Sequence, residues 1–576
     1  MKLTDKIQHP KNVTPIRITG AEALMRSLEY QGVKTIFGYP GGAIMPVYDV
    51  IYSYPQIHHI LVRHEQAAAH AAEGFARASG EVGVCLVTSG PGATNTITGV
   101  FDAMIDSTPI VVIAGQVSSS SLGMDAFQEV DLVGVTQPIS KWSYQIRSAE
   151  DVAWAVARAF YIAKSGRPGP VVLDFAKNAQ IEYTQYVPTK LDFVRGYKPG
   201  SDMEEEKIEQ AAQLINESKR PLVLAGHGIE LAGASPEFYE FVHKADMPFG
   251  STLLGLSALP SDDTLNMGML GMHGNLAPNV KTNECDVLIA VGMRFDDRVT
   301  GKLATYAPQS KVIHFDIDAA EIDKTIKTEV AVLGDCKKTL AAVTKLLHPA
   351  SHQEWIKSFK PFAQKEEEKV IEPELHPLSE YMSMGEVVRA VSDAKDNAIL
   401  VTDVGQNQMI AARYFKYSQP RSILTSGGAG TMGFGVPAAI GATFARPDRP
   451  VCVFVGDGGL QMNLQEFGTI MEQKAPVKII LLNNNFLGNV RQWQAMFFHH
   501  HYSFTPMMNP DYMTIASAYR IPSRRVLKRE ELEEAVQEMW NTDGPFLLEA
   551  CVMEEGNVLP MTPPGETVGN MILEIK

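Results

Sequence analysis

Short, wholly apolar runs that end in Gly, Asp or Asn recur along this chain. They restrict its fold more than any other feature. VKTIFGYP, VGVCLVTSGPG, PIVVIAGQV and GPVVLDF fall within the first 185 residues. RPLVLAGHG, MPFGSTL, CDVLIAVGMRF and SKVIHFDID follow, then NAILVTDVGQN, SILTSGGAG, VCVFVGDGG and VKIILLNNN. Strands with no polar alternation are buried on both faces, as in parallel sheets covered by helices. The intervening segments have helical patterns, so the units read as βαβ. The fold class is therefore α/β, with three doubly wound domains and mostly parallel sheets.

At roughly 150 residues per domain, 576 residues allow three or four domains. Two polar stretches divide the chain. KLDFVRGYKPGSDMEEEK reads as one linker, and HPASHQEWIKSFKPFAQKEEEKVIEPELHP, charged and partly helical, as another. The expected domains are 1–188, 200–348 and 378–565. The first and third blocks are open to being structural repeats, although no short period is visible. A net charge of −15 argues against nucleic acid or an anionic membrane as partner. None of the cysteines (Cys85, Cys285, Cys336, Cys452, Cys551) forms a CxxC pair. Neither a disulfide framework nor a zinc site is expected, and the expected location is cytoplasmic. No run is long enough to span a bilayer, and MKLTDKIQHPKNVTP lacks the apolar core of a signal peptide.

Two strand ends carry the sharpest chemistry. VCVFVGDGG delivers Asp457 between Gly456 and Gly458, and VKIILLNNN delivers Asn483-Asn484. A carboxylate and an amide oxygen at neighbouring strand ends are hard ligands, suited to Mg²⁺ completed by diphosphate oxygens. The glycines let backbone N–H groups approach phosphate. Arg63-His64-Glu65 opens an Ala-rich helix. A HExxH zinc motif fails because its last position is Ala68. Glu65 is then either a helix-capping acid or a carboxylate in an apolar setting, usable as an acid or base. Gly428–Gly433 matches GxGxxG after a strand, but the ribose-binding acid of a dinucleotide site is missing. Ser89–Asn95 is a glycine turn, and Gly292–Arg298 is either a solvated charge run or a site for an anionic dinucleotide.

Together with FGYPGG, RHEQAA, TSGPGATN, DAFQE, GRPGPV, GMHG, RFDDRVTG and VRQWQ, these motifs resemble the catalytic subunits of the acetohydroxyacid synthase (acetolactate synthase) family of thiamine diphosphate enzymes. The likeness runs from Phe37 to PMTPPG near the C-terminus. It implies pyrimidine-binding, FAD-binding and diphosphate-binding domains in that order, with thiamine diphosphate, Mg²⁺ and FAD as cofactors. It implies a homodimer or homotetramer in which Glu65 of one subunit meets the metal site of another, and a small regulatory subunit as partner. The implied reaction decarboxylates pyruvate and ligates the hydroxyethyl carbanion to a second 2-ketoacid. Pyruvate gives 2-acetolactate and 2-ketobutyrate gives 2-aceto-2-hydroxybutyrate, toward valine, leucine and isoleucine.

The resemblance also carries residue roles. Glu65, Gln128, Lys177, Met432, Arg298 and Trp493 are the expected catalytic group. Glu65 would hydrogen-bond the cofactor ring, Pro91 and Asn95 would also bind the cofactor, and Met432 would wedge it into a bent shape. Gly405, Gln406, Asn407, Gly430, Gly456, Asp457, Gly458, Gly459, Asn484, Phe486 and Gly488 would complete its cradle, with the ion on Asp457, Asn484 and the Phe486 carbonyl. Gln128 and Phe127 would lie near the reacting centre, Lys177 and Arg298 at the entrance, and Trp493 against the extra methyl of 2-ketobutyrate. FAD contacts are implied for Arg167, Gly226, Thr252, Leu253, Met272, His273, Gly292, Arg294, Asp296, Arg298, Asp316, Ile317 and Asp335. Departures from the family pattern are Asn407 for His, Ala429 for Leu, Gly459-Leu460 for Ser-Phe, Asn489 for Met, Ala176 for Pro, and His227 within a Gly run. His499-His500-His501 reads as polar surface. The competing readings are a pyruvate oxidase or another thiamine diphosphate-dependent 2-ketoacid carboligase, a non-catalytic binding protein, and an NAD dehydrogenase.

Overall fold

The computed structural model describes residues 5–10 and 13–575. Within them the apolar runs form three six-stranded sheets in which every neighbouring pair is parallel. The first contains β1 (Thr35–Gly38), β2 (His58–Leu61), β3 (Gly83–Val87), β4 (Ile110–Gln116), β5 (Trp142–Ile146) and β6 (Val171–Ala176). The second contains β7 (Pro221–Ala225), β8 (Phe249–Ser251), β9 (Asn266–Met269), β10 (Val287–Val291), β11 (Lys311–Asp316) and β12 (Val330–Leu333). The third contains β13 (Ile399–Thr402), β14 (Ile423–Leu424), β15 (Val451–Gly456), β16 (Val477–Asn483), β17 (Ser523–Val526) and β18 (Phe546–Cys551). Every residue of β4 and of β16 is buried, as runs without alternation require.

The spatial orders separate the sheets into two kinds. The first reads β2-β1-β3-β4-β6-β5 and the third β14-β13-β15-β16-β18-β17, the same order once each is counted from its own start. The repeat left open by the sequence is thus present in topology. The second sheet reads β9-β8-β7-β10-β11-β12, the 3-2-1-4-5-6 order of dinucleotide-binding sheets.

Five helices position the site: α1 (Glu65–Ser79), α2 (Ile97–Ile105), α3 (Gly435–Ala445), α4 (Asp457–Met462) and α5 (Gly488–Phe497). His64 caps the start of α1, accepting from the Gln66 N–H at 3.2 Å, and Gly80 ends it with φ 79°. α1 and α3 follow the second strand of the first and third sheets and pack directly on each other. A Cβ on Gly74 would lie 2.0 Å from the Ala438 carbonyl oxygen, and one on Gly441 would lie 1.9 Å from that of Ala71. Only glycine permits this approach.

Neither polar stretch is free of structure. Lys190–Phe193 pairs antiparallel with Lys6–Gln8, because Leu191 and Val194 are buried in the first core. In the second stretch Trp355 Nε1 donates to the Pro221 carbonyl at 2.8 Å. Buried Glu366 accepts from Asn275 Nδ2 at 2.9 Å and from the Leu276 N–H at 2.6 Å, and it pairs with Arg413, tying the second domain to the third. Among the described residues all five cysteines are free, and no helix is long and apolar enough to cross a membrane. Of the N-terminal segment, residues 1–4 and 11–12 lie outside the described residues.

Candidate active site

The order of the third sheet reverses between β13 and β15, and open α/β sheets hold ligands at such a point. β13 leads into Asp403-Val404-Gly405, β15 into Asp457, and β16 into Asn484. The register sets Gly456 beside Leu482, so Asp457 and Asn484 emerge from neighbouring strand ends. Asp403 has a structural duty that its motif did not reveal. Its carboxylate accepts the N–H groups of Val404, Gly433 and Gly435 at 2.8–3.1 Å and so fixes the turn before α3. That turn has φ 65° at Gly430 and 91° at Gly433, backbone that favours glycine. Met432 stands between them, its methyl 3.5 Å from where a Cβ on Gly458 would be.

Asp457 is buried. The Gly458 N–H donates to its Oδ1 at 3.0 Å and Asn509 Nδ2 to its Oδ2 at 2.7 Å. Burial pushes its carboxyl up to about 6. Asn509 also donates to Asn483 Oδ1 at 3.0 Å and to Asn485 Oδ1 at 3.2 Å. This residue lies in a loop with no motif around it, so nothing in its local sequence points to the role. Asn484 Oδ1 accepts the Phe486 N–H at 3.3 Å, which folds the Asn485–Phe486 turn back over the strand end. A Cβ on Gly488 would lie 2.2 Å from Gln406 Oε1, and Gln406 Nε2 reaches Gln492 Oε1 and the Gly556 carbonyl. Asn407 donates to the Phe454 carbonyl at 3.1 Å. The departure at Gly459 has a steric account, because a Cβ there would lie 2.3 Å from Asp403 Oδ1.

A second cluster sits at the edge of the first sheet. Glu65, half-buried at the start of α1, accepts from Asn95 Nδ2 at 2.9 Å. Gly92 in the Pro91 turn brings its Cβ direction to 3.4 Å from Glu65 Oε1. Gln128 (φ 59°) packs on Gly90 (φ 58°), where a Cβ would meet Gln128 Cβ at 2.8 Å. The structure thus brings Glu65, Pro91, Asn95 and Gln128 together. Phe127 beside them is 87% exposed, and Lys177 is exposed after β6. Among the described residues no hydrogen bond or ion pair joins this cluster to that of Asp457. The nearest link is Glu466, which accepts the Arg63 N–H at 3.0 Å.

A cavity of about 760 Å³ is walled by all three domains. Arg167 enters from the first, and Gly430, Asn489 and Trp493 from the third. Thr252, Leu253, Met272, His273, Gly292, Arg294, Asp296, Arg298, Asp316, Ile317 and Asp335 line the rest. Gly226 is not on the wall; it packs on Gly292, whose carbonyl oxygen would lie 2.3 Å from its Cβ. The cavity reaches the residues just past the ends of the paired strands β7 and β10, the reversal point of the second sheet. Arg167 pairs with Glu321 at 2.8 Å and Asp318 at 3.3 Å. His273 Nε2 and Asn489 Oδ1 are buried without a partner. Burial pushes the His273 imidazole down to about 4 and that of His227, also on the wall, to about 3. Asp106 accepts the Gly427 and Gly428 N–H groups at 2.8 and 2.7 Å, so the GxGxxG turn does not offer them to a pyrophosphate. His499, His500 and His501 are exposed.

Three models of thiamine pyrophosphate enzyme domains match the chain. The thiamine pyrophosphate enzyme N-terminal TPP binding domain matches residues 18–135, the central domain 208–343 and the C-terminal TPP binding domain 403–550. The chain is 44% identical over 557 residues to the acetolactate synthase isozyme 2 large subunit of Escherichia coli, covering 96% of this chain and 99% of that protein. It is 43% identical over 571 residues to a probable acetolactate synthase large subunit of Methanocaldococcus jannaschii, covering 97% and 95%. It is 41% identical over 574 residues to the chloroplastic acetolactate synthase of Arabidopsis thaliana, covering 96% and 84%.

Proposed function

The chain belongs to the acetolactate synthase large-subunit family of thiamine pyrophosphate enzymes, and from that premise we propose the following reading of its sites. The protein is an acetolactate synthase of branched-chain amino acid biosynthesis. It decarboxylates pyruvate and joins the remaining two-carbon unit to a second 2-ketoacid, pyruvate or 2-ketobutyrate. The observation that carries the site reading is the pairing of Asp457 and Asn484 at adjacent strand ends, beside a glycine turn that presents Met432.

The residues present fit the groups this family uses. Asp457, Asn484 and the Phe486 carbonyl supply oxygen donors for Mg²⁺, and a Cβ on Gly456 or Gly430 would meet nothing nearer than 3.6 Å, which leaves room for a diphosphate. The large cavity has the strand order, volume and arginines for FAD, and its orphaned His273 Nε2 awaits a polar partner. Bound thiamine diphosphate supplies the nucleophilic carbon and the electron sink for decarboxylation. Glu65 holds the proton exchanged with the cofactor's ring, and Asn95 keeps its carboxylate oriented. Met432 fixes the cofactor's shape, and Arg298, on the cavity wall, binds the carboxylate of the second ketoacid. Trp493 packs on the extra methyl of 2-ketobutyrate, which supports only a modest preference of about 1–3 kcal/mol.

Glu65 and Asp457 belong to clusters that no hydrogen bond or ion pair joins among the described residues, which supports a homodimer or homotetramer whose sites are completed across the interface. The exposed Phe127 and Met124 at one cluster, and Phe504 and Met508 at the other, supply apolar surface for it. A small regulatory subunit, indicated by the large-subunit names of the relatives, is the further partner, and the cytoplasm is the expected location. A turnover assay on pyruvate, with and without thiamine diphosphate, Mg²⁺ and FAD, tests the reading. Acetolactate should form only with the cofactors present. Acetate or peroxide as the main product would instead make the protein an oxidase.

A further inference from the structure

We propose that Glu73 and Asp102 share one buried proton and act as a positioning pair, locking the helix that starts at Glu65 to the turn that presents Met432. The meaning of those two ends rests on the functional reading above; the shared proton does not.

His70, Glu73 and Arg77 lie along one face of α1, and Asp102 and Asp106 come from α2 and its end. All five side chains are buried, so three carboxyls face one guanidinium in a dry interior. The hydrogen bonds of Arg77 go elsewhere. Its Nε donates to Thr108 Oγ1 at 3.0 Å, its Nη1 to the Thr425 carbonyl and its Nη2 to Asp106 Oδ2 at 2.7 Å. Glu73 Oε2 is left 3.9 Å from Nη2. On the other side His70 Nδ1 lies 2.9 Å from Glu73 Oε1, and Gln66 Nε2 lies 3.4 Å from His70 Nε2. An amide nitrogen only donates, so His70 Nε2 accepts and Nδ1–H donates to Glu73.

Two oxygens then remain without partners, Glu73 Oε2 and Asp102 Oδ2. Ligand atoms of His70, Glu73 and Asp102 lie within 4.8 Å of one another. Two bare carboxylates this close in a dry interior repel strongly. One proton removes a charge and turns one orphan into a donor for the other. Burial, then Asp102, pushes the Glu73 carboxyl well up; burial, then Asp106, pushes Asp102 to about 7. A metal ion would also satisfy the orphans, but the Arg77 guanidinium beside Glu73 opposes a second positive charge. From the other domains Arg421 donates to the Arg77 carbonyl at 2.8 Å, and neutral His227 lies near Arg77 and Asp106.

The pair has an outlet. Ser426 Oγ donates to Asp102 Oδ1 at 3.0 Å and accepts the Thr431 N–H at 2.9 Å, one residue before Met432. A displacement of α1 at Glu73 is therefore felt at the Met432 turn.

Three measurements on the full-length protein test this. The infrared difference between the parent and Glu73→Gln at neutral pH should contain a protonated carboxylic-acid carbonyl band, and the difference with Asp102→Asn should contain it too. No such band in either difference would overturn the proposal. Elemental analysis should find no transition-metal ion; a stoichiometric ion lost in both variants would overturn it. Glu73→Ala should lose about tenfold or more in turnover, and Glu73→Gln, whose amide can donate to Asp102, should recover most of that loss. If Glu73→Ala does not fold, the parent is compared with Glu73→Gln by unfolding against pH. A folded-state value raised above 4.5 means that stability falls as pH rises. The parent should therefore lose stability relative to the variant, and parallel curves would overturn the proposal. The infrared and unfolding readouts need no substrate, so failure of the ketoacid chemistry would leave them interpretable.

Discussion

The first and third sheets set their strands in the same order, yet corresponding strand ends carry different chemistry. After its third strand the first sheet turns through Ser89-Gly90-Pro91, and the third sheet turns through Gly456-Asp457-Gly458. After the fourth strand the first sheet continues into Val117-Ser118, and the third ends in Asn483-Asn484. The helix after the second strand begins at Glu65 in one, and follows a glycine turn with Met432 in the other. Topology thus supplies two equivalent crevices, and a few residues at their lips give them different chemistry, which the proposed function reads as one for a ring and one for a metal–diphosphate. The two helices meet at Gly74 and Gly441, so the halves are also held to each other at equivalent places.

Each prediction strains one side of that comparison. The largest effect is expected for Glu65→Gln, which removes the carboxylate at the start of α1 in the first crevice's cluster. Turnover of pyruvate should fall by about 10³-fold, with the unfolding midpoint unchanged. Next is Gly441→Ala, which forces a methyl into the Ala71 carbonyl. It should cost about 3 kcal/mol or more in denaturant unfolding, and an unchanged midpoint would mean that the helices do not cross as described. Asn509→Ala unties Asp457 and should raise the Mg²⁺ concentration for half-maximal activity by about tenfold. In a competition assay Trp493→Leu should reduce the preference for 2-ketobutyrate over pyruvate by about tenfold. The smallest effect concerns Glu466, which reaches from the third domain to the Arg63 N–H. Burial pushes its carboxyl up to about 7, so the folded protein holds a proton that the unfolded chain releases near 4.5. Its contribution to stability is present below that lower value and is lost as pH rises toward 7. The unfolding midpoint of Glu466→Gln should match the parent at acid pH and gain on it toward neutrality.

What was legible in the sequence follows from how local each signal is. Continuous apolar runs specify buried parallel strands without reference to distant residues, so the fold class was readable. The placement of Asp457 and Asn484 side by side was readable because a strand end fixes where a polar residue emerges. Asn509, Asp403 and Glu466 owe their roles to partners brought close by tertiary folding, and no spacing encodes that. The repeat was hidden because apolar pattern preserves topology while residue identities diverge. Gly74 and Gly441 would read only as a helix-propensity cost of about 1 kcal/mol each; their reason is the crossing. The two polar stretches looked like linkers because composition does not show that Leu191, Val194, Trp355 and Glu366 are anchors.

The cavity bounded by Arg167, Asp316 and Trp493 has a thermodynamic corollary. Any molecule that fills it touches all three domains at once and serves as a linchpin. By mass action, an occupant present at a hundred times its dissociation constant adds about 2.7 kcal/mol to the native state. Because that increment is lost when any one wall opens, melting should merge from staggered steps into a single sharper transition as the occupant is added.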